Sequence, residues 1–256
     1  MEELDALLSA ISIADPPPQP RLPPAVAIQS WYRGASLRLN RLPMVVYLAQ
    51  KYLVDSAFVF SNETRDGRTN SCIDEDGIIA LLAAKFGDRL RVSNSRMWHD
   101  VLLFDRRCGW LPMNIKTTTT ATSDNTGNLA MCVHAYTNED LHLSTTRSYD
   151  NGKMSRLLLA KLQARELNRR NKKDYYFVVL SKTNARDVIV NSVLGLTVLT
   201  PNINNLPFQV CWKKNREFRR RSIKHSVRDF VACIQSPNPS WKEAFLKDMR
   251  ELDNAR

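Results

Sequence analysis

Residues 101–120 predict a β-hairpin, and this hairpin constrains the fold more than any other stretch of the chain. Val101 to Phe104 is a short apolar run of the kind found in buried strands. The polar residues that follow end at Gly109, where the chain can turn. The segment from Trp110 to Thr120 is rich in β-branched residues, which favour a second strand. We therefore expect two strands that bring residue 100 close to the middle of the second strand.

Three polar residues of this hairpin form a candidate site. Asp100 opens the first strand, and Asn114 and Lys116 lie midway along the second. Because side chains alternate across a strand, Asn114 and Lys116 should point to one face, with Ile115 buried behind them. A carboxylate oxygen, an amide oxygen and an ammonium group would then converge, which is a suitable set for metal-assisted hydrolysis.

These residues resemble the PD-(D/E)XK superfamily of nucleases, and within it type II restriction endonucleases of the EcoRV type. In that family an aspartate opens one strand, and an acidic residue, any residue and a lysine follow on the next. Asp100 and the segment Asn114-Ile115-Lys116 match these places. The threonines from Thr117 to Thr120 match a threonine-rich continuation in EcoRV-type enzymes, and residues 222–231 carry a second likeness.

Two positions depart from the family pattern. His99 occupies the place of a proline, and Asn114 occupies the place where a carboxylate is usual. An asparagine still offers a carbonyl oxygen to a hard cation, although it brings no charge. Restriction enzymes of the MspI type carry asparagine here, but an inactivating substitution would look the same. The sequence leaves both interpretations open.

The resemblance implies an α/β fold with a restriction-endonuclease-like core, in which helices flank a central mixed β-sheet. It also implies Mg²⁺ as the cofactor, bound by Asp100, Asn114 and the Ile115 carbonyl, with waters completing the shell. The ion would polarise the scissile phosphate. Lys116 would orient the attacking water and stabilise the charge that develops on the phosphate.

The resemblance implies one more carboxylate, from the helix that precedes the hairpin. Glu75 and Glu63 compete for this catalytic role. Glu75 also lies in an acidic run at residues 74–76, where we expect a helix to begin and to continue to residue 86. Carboxylates suit the first turn of a helix, so a capping role for Glu75 is the alternative.

The charge balance favours a polyanionic partner. The chain of 256 residues has 37 Lys and Arg against 26 Asp and Glu, a formal charge of +11. Nucleic acid is the first candidate, and an anionic membrane surface is the second. The residues proposed to contact DNA are Thr117, Thr118, Thr120, Asn125, Asn204, Lys213, Lys214, Arg216, Arg219, Arg220, Arg221 and Lys224. Surface loops and a solvated charge run are the alternatives for these segments.

The remaining patterns predict how the chain is organised. We expect residues 1–30 to form a short helix and a proline-rich arm, and residues 31–256 to form the nuclease domain with its DNA-recognition loops. Helices are predicted at residues 42–54, 149–167 and 240–252, strands at 174–180 and 187–194, and a polar surface loop at 121–128. Five scattered cysteines argue against a disulfide framework or a zinc ribbon.

The expected function is Mg²⁺-dependent, sequence-specific cleavage of double-stranded DNA by a homodimer. The acidic start and the absence of an apolar run near ~20 residues predict a soluble protein without membrane attachment. The resemblance implies a prokaryotic cytoplasmic enzyme, with a cognate DNA methyltransferase in the same cell but no stable complex between the two. The rivals are a catalytically silent DNA-binding protein on the same fold and an RNA-binding or structural protein.

Overall fold

The computed structural model describes residues 41–61, 67–126, 128–168, 173–202, 207–234 and 247. These residues belong to the second of the two units into which the chain divides, residues 41–256. The N-terminal helix, the proline-rich arm, Glu63 and Asn204 lie outside the described residues, as does the closing helix apart from residue 247.

The described elements come in groups: two helices, four strands, two helices, four strands and a last helix. In chain order they are α1 (Met44–Ser56), α2 (Gly67–Phe86), β1 (Leu90–Val92), β2 (Val101–Asp105), β3 (Gly109–Thr118), β4 (Ser123–Thr126), α3 (Leu129–Tyr136), α4 (Asn151–Gln163), β5 (Tyr176–Ser181), β6 (Asn184–Ser192), β7 (Leu199–Thr200), β8 (Phe208–Cys211) and α5 (Ile223–Ile234). Short 3₁₀ turns follow α2 and β8. Among the described helices, none is long and apolar enough to cross a membrane.

A mixed sheet of five strands forms the centre, in the order β1-β2-β3-β5-β6. β3 and β5 run parallel, and the other neighbouring pairs run antiparallel. The parallel pair needs a long crossover, which contains α3 and α4. The fold is therefore α/β with a mixed central sheet flanked by helices, as the sequence predicted.

The predicted hairpin is confirmed as β2 and β3, and its turn is stabilised by a carboxylate. Oδ1 of Asp105 accepts the N–H groups of Arg107 and Cys108 at 2.8 and 3.1 Å. Gly109 then adopts a φ of +77°, a value that residues with a Cβ rarely adopt. Oδ2 of Asp105 accepts the N–H of Val45 at 3.3 Å, and this bond ties the hairpin to the start of α1.

The two faces of the sheet are covered by different helices. α1 packs against β2 and β6, and α2 packs against β1 and β3. A large apolar core that includes Phe177, Val179 and Trp212 joins the sheet to α3, α4 and α5. All eight residues of α3 are buried, which fits a short helix enclosed by that core.

A second sheet of three antiparallel strands, in the order β4-β8-β7, lies at the end of β3. The N–H of Lys213 donates to the carbonyl of Thr120 at 3.1 Å, so the segment after β8 is attached to the segment after β3. This small sheet corrects one prediction, because residues 123–126, within the stretch expected to be a surface loop, form strand β4.

Most of the other predicted elements are confirmed, with shifted ends. Helices α1 and α4 and strands β5 and β6 occupy the predicted segments, and both strands extend the hairpin's sheet. The prediction that a helix begins at residue 74 is wrong, because α2 begins at Gly67. Glu75 therefore lies beyond the first turn, and its N-terminal capping role is excluded.

A candidate active site at the free edge of β3

The candidate site forms where β3 extends beyond the end of its antiparallel neighbour β2. β2 pairs with β3 only as far as Met113, so the next N–H groups on that edge, from Ile115 and Thr117, have no strand partner among the described residues. Oδ2 of Asp100 accepts the N–H of Ile115 at 2.7 Å. Oε1 of Glu75, from α2, accepts the N–H of Thr117 at 3.2 Å. Two carboxylates therefore occupy the place that a longer β2 would fill.

Asn114 and Lys116 project beside these carboxylates, as the alternation predicted. Nδ2 of Asn114 donates to Oδ2 of Asp100 at 2.7 Å. Lys116 is half-buried, while Ile115 between them is completely buried. Among the described residues, the Lys116 ammonium forms no salt bridge. The predicted approach of Asn114 to Asp100 is confirmed, and Lys116 lies close enough to lower the pKa of Asp100 and of Glu75.

Both carboxyl groups are harder to ionise than exposed ones. Burial and, to a smaller extent, the nearby Glu75 together raise the pKa of Asp100 to about 7, against the lowering effects of the Ile115 N–H and Lys116. Burial also raises the pKa of Glu75, against the lowering effects of Lys116 and the Thr117 N–H. Two adjacent half-buried carboxyl groups are a setting in which a bound cation is favourable, because its charge stabilises both ionised forms.

The donor set fits a hard cation such as Mg²⁺. Oδ1 of Asn114 is buried and, among the described residues, accepts no hydrogen bond. The Ile115 carbonyl points to the same edge as the Ile115 N–H, because both groups of one residue in a strand are directed to the same side. No group of three His, Cys, Asp or Glu side chains suited to a metal occurs in the described ranges. A cation here would therefore need amide and carbonyl oxygens and water, a mixed oxygen shell that Mg²⁺ accepts.

Buried neighbours hold Asp100 in position. Its N–H donates to the Met113 carbonyl at 2.9 Å. The Tyr175 hydroxyl donates to the carbonyl of Trp98 at 2.8 Å, which anchors the chain two residues before Asp100. His99 is buried, and its Nδ1 lies 2.7 Å from the Ser93 hydroxyl. This hydrogen bond links the residue before Asp100 to the end of β1.

A third carboxylate near Lys116 was missed by the sequence analysis. Asp124 on β4 is half-buried, and burial raises its pKa while Thr118 and Lys116 lower it. Its Oδ2 is buried and has no hydrogen-bond partner among the described residues. The only sequence signal was its position eight residues after Lys116, and the pairing of β4 with β8 that orients it is long-range.

The threonines after Lys116 are mostly enclosed. The exposed fractions of Thr117, Thr118 and Thr120 are 6%, 7% and 8%. The Thr118 hydroxyl accepts the N–H of Thr120 at 3.3 Å, and Thr120 has a φ of +64°. These side chains shape the end of β3, and their contact with DNA stays a prediction.

The basic run at residues 213–221 contains exposed lysines without an ion pair among the described residues and arginines that are paired with carboxylates. Lys213 and Lys214 are exposed and, within the described ranges, form no ion pair; Lys224 shares both properties. Arg216 pairs with Asp187 through two hydrogen bonds, and Arg219 pairs with Glu217 on the surface.

The last two arginines of the run are turned toward the protein. Arg221 donates to the Leu196 carbonyl at 2.8 Å and forms a salt bridge with Asp229. Arg220 has a buried Nε without a hydrogen-bond partner among the described residues, and its charge partly opposes the rise to about 6 that burial causes in the pKa of the Asp174 carboxyl. The three lysines are therefore the cations best placed for a partner, although contact with DNA stays a prediction for all of them.

Neither a scan against protein-family models nor a search of curated proteins found a match to this chain.

Proposed function

We propose that this protein is a Mg²⁺-dependent endonuclease of the type II restriction class that cuts both strands of double-stranded DNA as a homodimer. The supporting observation is the set of Asp100, Glu75, Asn114 and Lys116 at the free edge of β3. The mixed sheet with helices on both faces is compatible with a restriction-endonuclease-like core. The charge of +11 suits a polyanionic substrate.

In this proposal Asp100, the Asn114 Oδ1 atom and the Ile115 carbonyl hold the Mg²⁺ ion. When bound, the ion polarises the scissile phosphate and acidifies water. Lys116 orients the attacking water and stabilises the negative charge that develops on the phosphate oxygens. Glu75 accepts the N–H of Thr117 and lies close enough to Lys116 for that ammonium group to oppose the rise in its pKa. Tyr175 and Ser93 are positioning residues: their hydrogen bonds to Trp98 and His99 anchor the segment that carries Asp100.

A catalytically silent DNA-binding protein is the second candidate, and Asn114 favours it. The Asn114 amide donates to the carboxylate that would hold the cation, and it contributes no charge of its own. One missing carboxylate lowers the affinity for Mg²⁺, because this ion is bound through negatively charged oxygens and water. In that case the protein binds duplex DNA without cutting it.

The test is incubation of the purified protein with a plasmid, in Mg²⁺ or in EDTA, and separation of the products on a gel. The variants are Lys116→Ala and, as a matched control, Lys153→Ala, which removes an exposed lysine from α4. The nuclease proposal expects discrete fragments that require Mg²⁺, persist in Lys153→Ala and disappear in Lys116→Ala. Intact plasmid with every protein would contradict it. Cleavage gained in Asn114→Asp would then identify the chain as a silent relative of a nuclease.

A further inference from the structure

The small sheet presents a fixed pair of amides on its outward face. Oδ1 of Asn125, on β4, accepts a hydrogen bond from Nε2 of Gln209, on β8, at 3.0 Å. The same oxygen accepts Nδ2 of Asn202 at 2.8 Å. Asn202 is completely buried, whereas Asn125 is exposed and Gln209 is half-buried. A buried amide therefore holds an exposed one in a single orientation.

The strand register separates this face from the core. Asn125 is directly opposite Gln209, and Thr200 of β7 is opposite Gln209 on its other side. Phe208 and Val210, which alternate with Gln209, are completely buried. Asp124 alternates with Asn125 in the same way, so the only charged residue of these three strands faces away from the amide pair.

The hydrogen bonds determine which groups the pair offers outward. A carbonyl oxygen has two lone pairs, and both lone pairs of Asn125 Oδ1 are already used. Asn125 therefore offers only its two N–H donors, which have no partner among the described residues. Gln209 uses one N–H, and it keeps one donor and one acceptor.

We infer that Asn125 and Gln209 read base edges in the major groove of double-stranded DNA, which makes them specificity-determining residues; this inference rests on the proposed nuclease function. Neutral amides suit base edges, whereas phosphates are usually contacted by cations. The exposed Lys213 and Lys214 lie in the short turn that follows β8, two to three residues after its end, and offer such cations.

The donor pattern specifies the bases. Two outward donors on Asn125 match the keto oxygens of guanine and thymine, and they do not match the amino groups of adenine and cytosine. The remaining donor and acceptor of Gln209 match the N7 and N6 groups of adenine. At the position read by Asn125, the preferred base therefore carries a keto group.

The deciding variant is Asn125→Asp. The carboxylate keeps an oxygen for Asn202 and Gln209, but it turns the outward donors into an acceptor. At one position of the bound site, the variant protein should therefore prefer amino bases where the unmodified chain prefers keto bases. The ratio of the two affinities should change by about fivefold or more. Asn125→Ala should lose the preference at that position without acquiring another. Ser123→Ala, on the same face, is the control and should retain the original preference.

The measurement has two parts. Duplexes bound from a randomised library are sequenced for each variant in a Lys116→Ala background with Mg²⁺, so that nothing is cut. Plasmid ends produced by the unmodified chain are sequenced in parallel. An exchange of preferred base confined to the Asn125 variants supports the inference. An unchanged motif bound more weakly by Asn125→Asp would overturn it and leave the pair as a strand–strand contact.

Two further outcomes separate this inference from the function on which it rests. Plasmid cleavage without any sequence preference would overturn base reading by Asn125 while retaining a nuclease. Absence of both binding and cleavage would overturn the proposed function and the inference together.

Discussion

The side-chain amide of Asn114 donates a hydrogen bond to Oδ2 of Asp100 at 2.7 Å, and the same oxygen accepts the N–H of Ile115 at 2.7 Å. The Asn114 amide therefore stabilises the Asp100 carboxylate by donating a hydrogen bond to it, whereas a second carboxylate at this position would repel it. The cost is one fewer negative charge at the place where the proposed cation binds. Stability without metal and affinity for metal are thus opposed at this position.

Asn114→Asp should make stability depend on Mg²⁺. Without the ion, the variant loses the hydrogen bond to Asp100 and places two carboxylates in contact, so we expect a loss of about 1–3 kcal/mol in the free energy of unfolding. Millimolar Mg²⁺ should restore most of that loss, because the ion binds only the folded state. Urea denaturation with EDTA and with Mg²⁺ measures both quantities. Equal stability of the two proteins in EDTA would contradict the prediction.

Comparison of Glu75→Gln with Glu75→Ala should distinguish two effects of Glu75: its negative charge and its hydrogen bond to the Thr117 N–H. Gln retains an acceptor for the Thr117 N–H, whereas Ala leaves this N–H without its partner, at a cost of about 1–3 kcal/mol. Both variants remove a negative charge, so both should need more Mg²⁺ for half-maximal cleavage. Denaturation curves and Mg²⁺ titrations of cleavage distinguish the two effects. Asp88→Asn, an exposed change in the turn after α2, is the control, and it should alter neither quantity.

Arg221→Ala should reduce stability and Lys213→Ala should reduce DNA binding, although both residues belong to the basic run. Arg221 is paired with Asp229 and with the Leu196 carbonyl, so its removal should destabilise the fold by roughly 1.5–3 kcal/mol. Lys213 is exposed, and its removal should change stability by less than about 0.5 kcal/mol. It should instead weaken DNA binding for all sequences and lower the salt dependence by about one released ion. Melting curves and binding titrations at several salt concentrations test the pair, and a stable Arg221→Ala protein would refute this division.

His134 should make the fold less stable in mild acid. The side chain is completely enclosed within α3, and burial lowers its pKa from 6.5 to about 3. Below pH 6.5 the unfolded chain binds a proton that the folded protein excludes, so stability falls as the pH decreases toward 3. Between pH 7 and pH 5 this one group should remove about 2 kcal/mol.

His134→Gln should abolish that contribution. Urea midpoints at pH 7 and pH 5 are compared for both proteins, because the buried His99 contributes to the two slopes equally and cancels in their difference. Parallel pH profiles for the variant and the unmodified chain would show that His134 does not cause the loss.

Local patterns in the sequence determined the central hairpin and several of its neighbours. The apolar run of β2, the β-branched residues of β3 and the turn ending at Gly109 are short-range features, and each agrees with the observed conformation. Side-chain alternation correctly predicted that Asn114 and Lys116 share a face. These features depend on residues a few positions apart, so neighbouring residues alone specify them.

Tertiary structure alone decided the features that join distant segments. The sequence named Glu75 as a candidate, but only the packing of α2 on β3 places its carboxylate against Thr117, 42 residues away. The amide pair of Asn125 and Gln209 joins strands 84 residues apart, and no local pattern signals such pairing. The arginines of the basic run look alike in sequence, but the fold supplies an aspartate to some of them and solvent to the neighbouring lysines. In each case the role of a side chain depends on the partner that the fold places beside it. Because that partner is distant in sequence, local patterns cannot identify it.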